Sequence, residues 1–252
     1  MVPAASKGVQ TGQADVDVLR VAHPIWHRFG GDGAQQLTPR RVGALAAKGL
    51  GAAVAFLLVG NLAILAASAW ARATTSTAMP TTVEGIDNLQ AVDDHMWRGA
   101  APTTDGYRNL ARAGIATVVD LRAEDGLEAD GRTVEEFGMK LVRIPMRDGQ
   151  VPSTDEVDAF LAATQASAGT VFVHCGAGVG RTGAMVGAYQ VSYGELSGRA
   201  ALRRNLAVGP PSLEQIAFVG RMGGGLPEKP GTMVTAVSRV LDAPRRLWSR
   251  LG

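Results

Sequence analysis

The feature that most constrains the fold of this chain is a glycine-rich run behind an apolar stretch in its second half. Residues 170–173 have the composition of a buried β-strand, and the run that follows is His174-Cys175-Gly176-Ala177-Gly178-Val179-Gly180-Arg181-Thr182-Gly183. In a tight glycine-rich loop, successive backbone N–H groups turn inward and hold an anion, and a following helix adds the positive end of its dipole. The run therefore predicts a phosphate-binding loop between a strand and a helix.

Two side chains of this loop carry chemistry. The only cysteine of the chain, Cys175, stands six residues before Arg181. A thiol at the start of a helix and close to a guanidinium favours the nucleophilic thiolate. Arg181 can give two parallel hydrogen bonds to phosphate oxygens, which a lysine cannot do, and Thr182 can donate to the sulfur. We interpret Cys175 and Arg181 as a nucleophile and its phosphate clamp.

The pattern His-Cys-x5-Arg-(Ser/Thr) resembles the signature of the cysteine-dependent protein tyrosine phosphatase superfamily, and residues 177–183 are especially similar to its tyrosine-specific members. The length of the domain that carries the pattern is closer to that of a compact dual-specificity phosphatase. The resemblance implies hydrolysis of phosphotyrosine, and of phosphoserine and phosphothreonine in a dual-specificity enzyme, through a phosphocysteine on Cys175 and without a cofactor. It also implies that His174 supports the loop and is not a catalytic base. The residues expected to bind phosphate are Gly176, Ala177, Gly178, Val179, Gly180 and Arg181.

Other interpretations of the loop fit less well. Gly178, Gly180 and Gly183 also have the spacing of a dinucleotide-binding motif, but that motif normally follows the first strand of its fold. A nucleoside-triphosphate loop needs a lysine after its last glycine, where this chain has Ala184. A buried structural cysteine is the plain alternative, since free cysteines are mostly buried. The arginine spacing favours the phosphatase interpretation.

Asp148 is the candidate general acid. It lies where a strand-like segment ends in a loop rich in glycine and proline, residues 147–152, and this resembles the acid loop of compact dual-specificity phosphatases. An aspartate there would protonate the leaving oxygen and then activate water. A turn-forming Asp-Gly pair is the alternative, and Asp155 and Asp158 are the next candidates.

Gln215 resembles the glutamine that orients the attacking water in many members of this superfamily. It also stands three residues after Ser212, which is the spacing of a helix capping box. Both roles stay open at this point. Arg98 and the segment 120–122 resemble strand-end motifs of compact phosphatases and are expected to tie the sheet edge to neighbouring loops.

Residues 49–70 form a run of 22 residues without a charge. A helix of that length can cross a hydrocarbon layer of about 30 Å, so we predict one membrane span in a helix at residues 45–72, with a buried helix as the alternative. Three basic residues shortly precede the run and only Arg72 follows it closely, which favours a cytoplasmic N-terminus. That orientation would place the thiolate outside, where it is prone to oxidation, so the side of the catalytic domain stays open.

The remaining sequence is organised around these two features. Strand-like segments at 116–121, 140–144 and 170–174 alternate with helical stretches, which predicts an α/β domain with a central, mostly parallel sheet flanked by helices, preceded by the single transmembrane helix. The predicted segments are a flexible tail at 1–44, the transmembrane helix at 45–72, a linker at 73–84, the phosphatase domain at 85–222, and a basic amphipathic tail at 223–252 in which Pro244 should kink or interrupt a helix.

The composition of the chain limits the classes of partner that it is expected to bind. The formal net charge is +2, which gives no basic excess for nucleic acid, and the four histidines are too scattered to suggest a metal site. The expected partners are a phosphorylated protein or lipid and the membrane around residues 49–70. Three hypotheses stay open: a membrane-tethered protein phosphatase, a phospholipid or phosphoinositide phosphatase, and a catalytically silent phosphate-binding membrane module.

Overall fold

The computed structural model describes residues 39–75, 83–124, 126–223 and 229–251. The chain divides into two compact units, Met1–Gly49 and Leu50–Gly252. Of the first unit, only the helical residues from Pro39 onward are described, so most of the tail predicted at 1–44 lies outside the described residues, as do residues 76–82 of the predicted linker. The site and the fold that positions it belong to the second unit.

Thirteen elements make up the described residues. In chain order they are α1 (Pro39–Thr74), β1 (Gln90–Ala91), β2 (Met96–Gly99), α2 (Thr104–Arg112), β3 (Ile115–Arg122), α3 (Glu128–Glu136), β4 (Lys140–Met146), α4 (Thr154–Gln165), β5 (Thr170–His174), α5 (Gly180–Ser192), α6 (Gly198–Val208), α7 (Leu213–Gly220) and α8 (Thr232–Leu251).

The five strands form one sheet in the order β1-β2-β5-β3-β4. Strands β2, β5, β3 and β4 are parallel, and β1 pairs antiparallel with β2 at the edge. This confirms the predicted α/β class with a mostly parallel sheet, and the three predicted strands correspond to β3, β4 and β5. The short strands β1 and β2 were not predicted.

Helices cover both faces of the sheet. On one face Phe160, Met185 and Val219, from α4, α5 and α7, are fully buried, and on the other face so are Leu110 of α2 and Val134 of α3. Strands between two helical layers are apolar on both sides, which explains the continuous apolar run of β5. Because β5 lies at the centre of the sheet, the loop that follows it emerges in the middle of the carboxyl edge.

The C-terminal segment predicted as a tail at 223–252 contains a long helix. Helix α8 packs on α7, where the Ser238 hydroxyl accepts a hydrogen bond of 3.1 Å from the backbone N–H of Glu214. The helix continues through Pro244, so the proline does not interrupt it, and a kink at this position stays a prediction.

Candidate active site

The glycine-rich loop, residues 175–180, joins the carboxyl end of β5 to the first turn of α5. Ligands of open α/β sheets bind beyond the carboxyl ends of the strands, so the topology places Cys175 at such a position. Its side chain is free of disulfides and only 3% exposed. We call residues 175–180 the phosphate loop.

Hydrogen bonds hold the carbonyl groups of the phosphate loop outward. The backbone N–H of Ala101 donates to the Gly176 carbonyl at 2.9 Å, and the Asn88 amide donates to the Ala177 carbonyl at 2.9 Å. A third donor, Arg98, serves the next two carbonyls. Because these carbonyls bind to the domain, we expect the peptide N–H groups to face the opposite, concave side, as an anion nest requires.

Arg98 is buried beneath the phosphate loop. One of its terminal nitrogens donates to the carbonyl of Gly178 at 2.8 Å, to that of Val179 at 3.4 Å, and to Oδ1 of Asn205 at 3.0 Å. Among the described residues it forms no ion pair with a carboxylate. Burial lowers the pKa of Arg98 to about 10, and attraction to Cys175 opposes that shift. Arg98 thus fixes the loop and adds a buried positive charge near the sulfur.

Arg181 is 3% exposed and lies in the first turn of α5. Its two terminal nitrogens bind the two oxygens of Glu124 at 3.0 and 2.9 Å, and one of them also donates to the Met146 carbonyl. Burial acts to lower the pKa of Arg181, but the hydrogen bonds to Glu124 and attraction to Cys175 raise it overall. The clamp is therefore a fixed, permanently charged group.

Two buried donors in the first turn of α5, directly after the phosphate loop, have no hydrogen-bond partner among the described residues. They are Nε of Arg181 and Oγ1 of Thr182. Buried polar atoms normally have a hydrogen-bond partner, and a buried donor without one is a candidate to bind a ligand. The pair has the chemistry to receive a phosphate oxygen and the cysteine sulfur, respectively.

His174 is completely buried at the end of β5. Its Nδ1 lies 3.3 Å from the Cys175 carbonyl, its Nε2 lies 3.5 Å from the Tyr107 hydroxyl and 3.9 Å from Asp120, and its ring stacks on Phe172. Burial lowers the pKa of His174 to about 4, against the attraction of Asp120. The imidazole is thus neutral at physiological pH and is held away from solvent, as a supporting residue would be.

Asp148 lies on the loop after β4 and is half-exposed. Its Oδ1 is 3.6 Å from Nε of Arg181, which puts a carboxylate at the rim of the clamp. The other two acid candidates, Asp155 and Asp158, lie on α4, and Asp155 is in its first turn. Of the three, Asp148 is the one that the structure brings to Arg181.

Gln215 is buried between the phosphate loop and the loop that carries Asp148. It forms the expected capping box with Ser212, while its Nε2 donates to the Gln150 carbonyl at 3.0 Å. A β-carbon on Gly180 would lie 2.4 Å from the Gln215 side-chain oxygen, so the amide lies directly against the phosphate loop. The Ser212 hydroxyl donates to the Gly149 carbonyl, so the start of α7 fixes the acid loop.

Sequence patterns did not indicate three residues that complete the site. They are Glu124, which binds Arg181, Asn88, which binds the phosphate loop, and Asn205, which binds Arg98. Glu124 follows the carboxyl end of β3, the neighbour of β5, so the rule that parallel strand ends meet at one edge could have found it. Asn88 and Asn205 carried no such signal.

A family model matches the part of the chain that carries this site. Residues 67–221 match the model of a family described as PTP-NADK, a DSP-PTPase phosphatase fused to NAD+ kinase. A curated relative, the chloroplastic NAD kinase 2 of Arabidopsis thaliana, is 32% identical over 111 residues, which cover 42% of this chain and 11% of that protein. The chain therefore spans about a tenth of that relative's length.

Solved phosphatase structures are also similar to this chain. The P. aeruginosa protein TpbA, crystallised as a variant in complex with phosphotyrosine, is 20% identical with a TM-score of 0.49, and the match covers 67% of this chain and 97% of that one. The catalytic domain of the S. cerevisiae PP-IP phosphatase SIW14 is 18% identical with a TM-score of 0.49, and covers 66% and 97% of the two chains.

Proposed function

Because this chain belongs to the family of DSP-PTPase phosphatases that occur fused to NAD+ kinase, and so to the cysteine-dependent phosphatase superfamily, we propose that it hydrolyses phosphomonoesters through a phosphocysteine on Cys175. The observation that carries the proposal is the phosphate loop itself. Four of its carbonyls are engaged by hydrogen bonds from the domain, and two buried donors without a hydrogen-bond partner, on Arg181 and Thr182, follow it directly in the first turn of α5.

In the first step, the sulfur of Cys175 attacks phosphorus and the bond from phosphorus to the leaving oxygen breaks. Asp148, protonated, gives its proton to that oxygen, and an alcohol or phenol departs. Negative charge on the phosphoryl oxygens is met by the loop N–H groups and by Arg181, which are fixed before the reaction begins.

In the second step, water attacks phosphorus and the phosphorus–sulfur bond breaks. The carboxylate of Asp148 takes the proton from that water, Thr182 donates to the departing sulfur, and inorganic phosphate leaves. Gln215 lies between the acid loop and Gly180, where its amide can orient the water. No metal or cofactor enters either step.

We further propose that the enzyme is membrane-tethered through residues 49–70, with a cytoplasmic N-terminus favoured. Helix α1 is long and apolar enough to cross a bilayer, with a candidate span at Val42–Thr74. Phosphotyrosine is the reference substrate, and phosphoserine and phosphothreonine belong to the proposed range. A catalytically silent binding module is disfavoured because the nucleophile, the clamp and an acid candidate lie together.

The nucleophile is tested with the full chain in detergent and a generic aryl phosphate. The wild type should turn over steadily, and mass spectrometry of acid-quenched mixtures should show a phosphoryl adduct on Cys175. The Cys175→Ser variant should be inactive, because a serine hydroxyl at this position lacks the thiolate's reactivity. Full activity of that variant would assign the nucleophile elsewhere.

The acid is tested with Asp148→Ala, using Asp155→Ala as the matched control. We expect kcat on an alkyl phosphate to fall by about 10²–10⁴-fold in Asp148→Ala, the range for loss of a general acid, with binding of vanadate preserved. Asp155→Ala should keep wild-type turnover. If only the Asp155 variant lost activity, the acid would lie on α4.

A further inference from the structure

A second concave surface lies between the C-terminal end of α1 and the N-terminal end of α6. It is a cavity of about 440 Å³, a size typical of small-molecule sites. No residue that lines it carries a negative charge, and we call it the arginine cavity. Its polar lining residues are Thr74, Thr75, Ser197, Arg199, Arg203 and Arg204.

The positive charge of the arginine cavity is poorly balanced. None of its three guanidinium groups forms an ion pair among the described residues, whose ion pairs involve other arginines. Arg203 instead lies over the Trp70 ring, 5.4 Å from its centroid, which leaves the N–H groups at the edge of the guanidinium plane to bind an anion. Burial and repulsion by Asp93 raise the pKa of Glu195, and attraction to Arg204 opposes that rise. One carboxylate thus faces three cations.

The sequence of α6 places two of these charges where they weaken the helix. Arg199 lies in the first turn, which contains no acidic residue and in which a helix favours negative charge. Arg203 follows four positions later, and like charges at this spacing repel each other on one helix face. An anion in the arginine cavity would relieve both effects.

Hydroxyl groups add to the donors of the cavity. Oγ1 of Thr75 is buried and has no hydrogen-bond partner in the part of the chain that the structure describes. The Ser197 oxygen accepts a hydrogen bond of 3.4 Å from the N–H of Ala200, and a hydroxyl that accepts still has a proton to donate. A phosphomonoester has three terminal oxygens and a charge near −2, and it matches these donors better than a carboxylate does.

The arginine cavity is separate from the active site. The phosphate loop contacts the opposite end of α6, where a β-carbon on Gly209 would lie 2.9 Å from the side chain of Val179. Arg199 and Gly209 are ten positions apart, a rise of about 15 Å at about 1.5 Å per residue. The only cysteine, Cys175, lies at the far end of that distance. A phosphate in the arginine cavity is therefore out of reach of the nucleophile.

We propose that the arginine cavity is a second binding site, which holds a phosphomonoester without hydrolysing it. Thr74 and Thr75 follow shortly after residues 49–70, the proposed membrane tether. The phosphate therefore belongs either to a lipid headgroup or to a soluble ligand, and the chemistry that the cavity recognises is the same for both.

The test titrates the full chain, with Cys175→Ser to prevent turnover, in detergent with glycerol 3-phosphate. The four tryptophans are replaced by a fluorinated tryptophan, and the Trp70 resonance is assigned with Trp70→Phe. Because Arg203 lies over the Trp70 ring, we expect a saturable shift of this resonance. Sodium chloride at the same ionic strength should give none. An equal shift with chloride, or no shift with glycerol 3-phosphate, would overturn the proposal whether or not the enzyme hydrolyses phosphomonoesters.

Two double variants locate the binding. Arg199→Gln/Arg204→Gln removes two charges from the cavity and keeps the arginine that lies over the ring, whereas Arg112→Gln/Arg132→Gln removes two charges from α2 and α3. All four side chains are exposed, so we expect both variants to fold. The Kd read at the Trp70 resonance should rise at least about tenfold in the first variant, a difference of about 1.4 kcal/mol, and stay within about twofold in the second. Equal Kd values in the two variants would overturn the site.

A further titration identifies the source of the phosphate. A short-chain phosphatidic acid is added to the same detergent solution, with a short-chain phosphatidylcholine as its control. Tighter binding of phosphatidic acid than of glycerol 3-phosphate, without an effect of phosphatidylcholine, would assign the ligand to lipid. Equal binding of the two phosphomonoesters would assign it to the phosphate group alone. Equal shifts with both lipids would mean that the resonance responds to acyl chains and would overturn the assignment to phosphate.

Discussion

Replacing Gly178 by alanine tests the conformation of the phosphate loop. Gly178 has φ +71°, in the left-handed region, and a β-carbon there would lie 2.3 Å from the carbonyl carbon of Gly99 and 2.5 Å from the nitrogen of Ala100. Both neighbours are backbone atoms at the end of β2, and no side-chain rotation can relieve the overlap. Either the loop or the strand end must move.

The expected loss of stability has two parts. A β-carbon at positive φ is unfavourable by about 1–2 kcal/mol, and forced overpacking adds about 1–3 kcal/mol. Together they lower the free energy of unfolding of Gly178→Ala by about 2–5 kcal/mol. At about 2–4 °C per kcal/mol for a chain of this size, the thermal midpoint should fall by about 4–20 °C.

Gly176→Ala is the matched control in the same loop. A β-carbon on Gly176 would have Arg181 as its nearest neighbour at 3.7 Å, an ordinary contact, and Gly176 is not among the residues with positive φ. Its free energy of unfolding should stay within about 0.5 kcal/mol of the wild type. Urea titration and calorimetry of both variants measure the difference. Equal stabilities of the two variants would contradict the described loop conformation.

Two more outcomes are expected. Arg98→Met should reduce kcat/KM on an aryl phosphate by about 10–100-fold. The reason is that the Gly178 and Val179 carbonyls lose their donor, and leaving a buried carbonyl without one costs about 1–3 kcal/mol. The same variant should slow alkylation of Cys175 by iodoacetamide. Arg98→Lys should restore the alkylation rate more fully than kcat/KM, and equal alkylation rates in all three proteins would exclude an influence of the buried charge on the sulfur. Burial lowers the pKa of His174 from 6.5 to about 4. Between about pH 6.5 and pH 4, His174 therefore binds a proton in the unfolded chain but not in the folded chain. The free energy of unfolding should therefore fall as the pH drops from about 6.5 to about 4, by up to about 3 kcal/mol, and urea titrations of His174→Gln should lack this decline; an identical decline in the variant would assign it to other groups.

Local patterns predicted three of the five strands, namely β3, β4 and β5. Strands β3, β4 and β5 gave recognisable apolar runs because helices cover both faces of the sheet. Strand β2 has four residues and contains Arg98 and Gly99, and β1 has two residues, so neither gave a period-2 or apolar signal. Strand β2 depends on pairing with β5, and β1 depends on pairing with β2, neither of which a single segment encodes.

The candidate site likewise has residues that local sequence predicted and residues that it did not. Cys175 and Arg181 were predicted because strand, loop and helix are contiguous, and their spacing is a local property. Glu124 is 57 positions from Arg181, and it reaches the clamp because β3 and β5 are neighbours in the sheet. Arg98 was expected to tie the sheet edge to a loop, and it does so, but the sequence did not indicate that this loop is the one that binds phosphate.

The hydrogen bonds that hold the phosphate loop open have a consequence for the minimal active fragment. The donors to the Gly176, Ala177 and Gly178 carbonyls come from the first stretch of the domain, from Ala101, Asn88 and Arg98 respectively. A truncated polypeptide that starts at β3 would keep the reactive thiol and its guanidinium yet lose the scaffold that shapes the anion cradle. Any excised catalytic core should therefore begin upstream of Asn88.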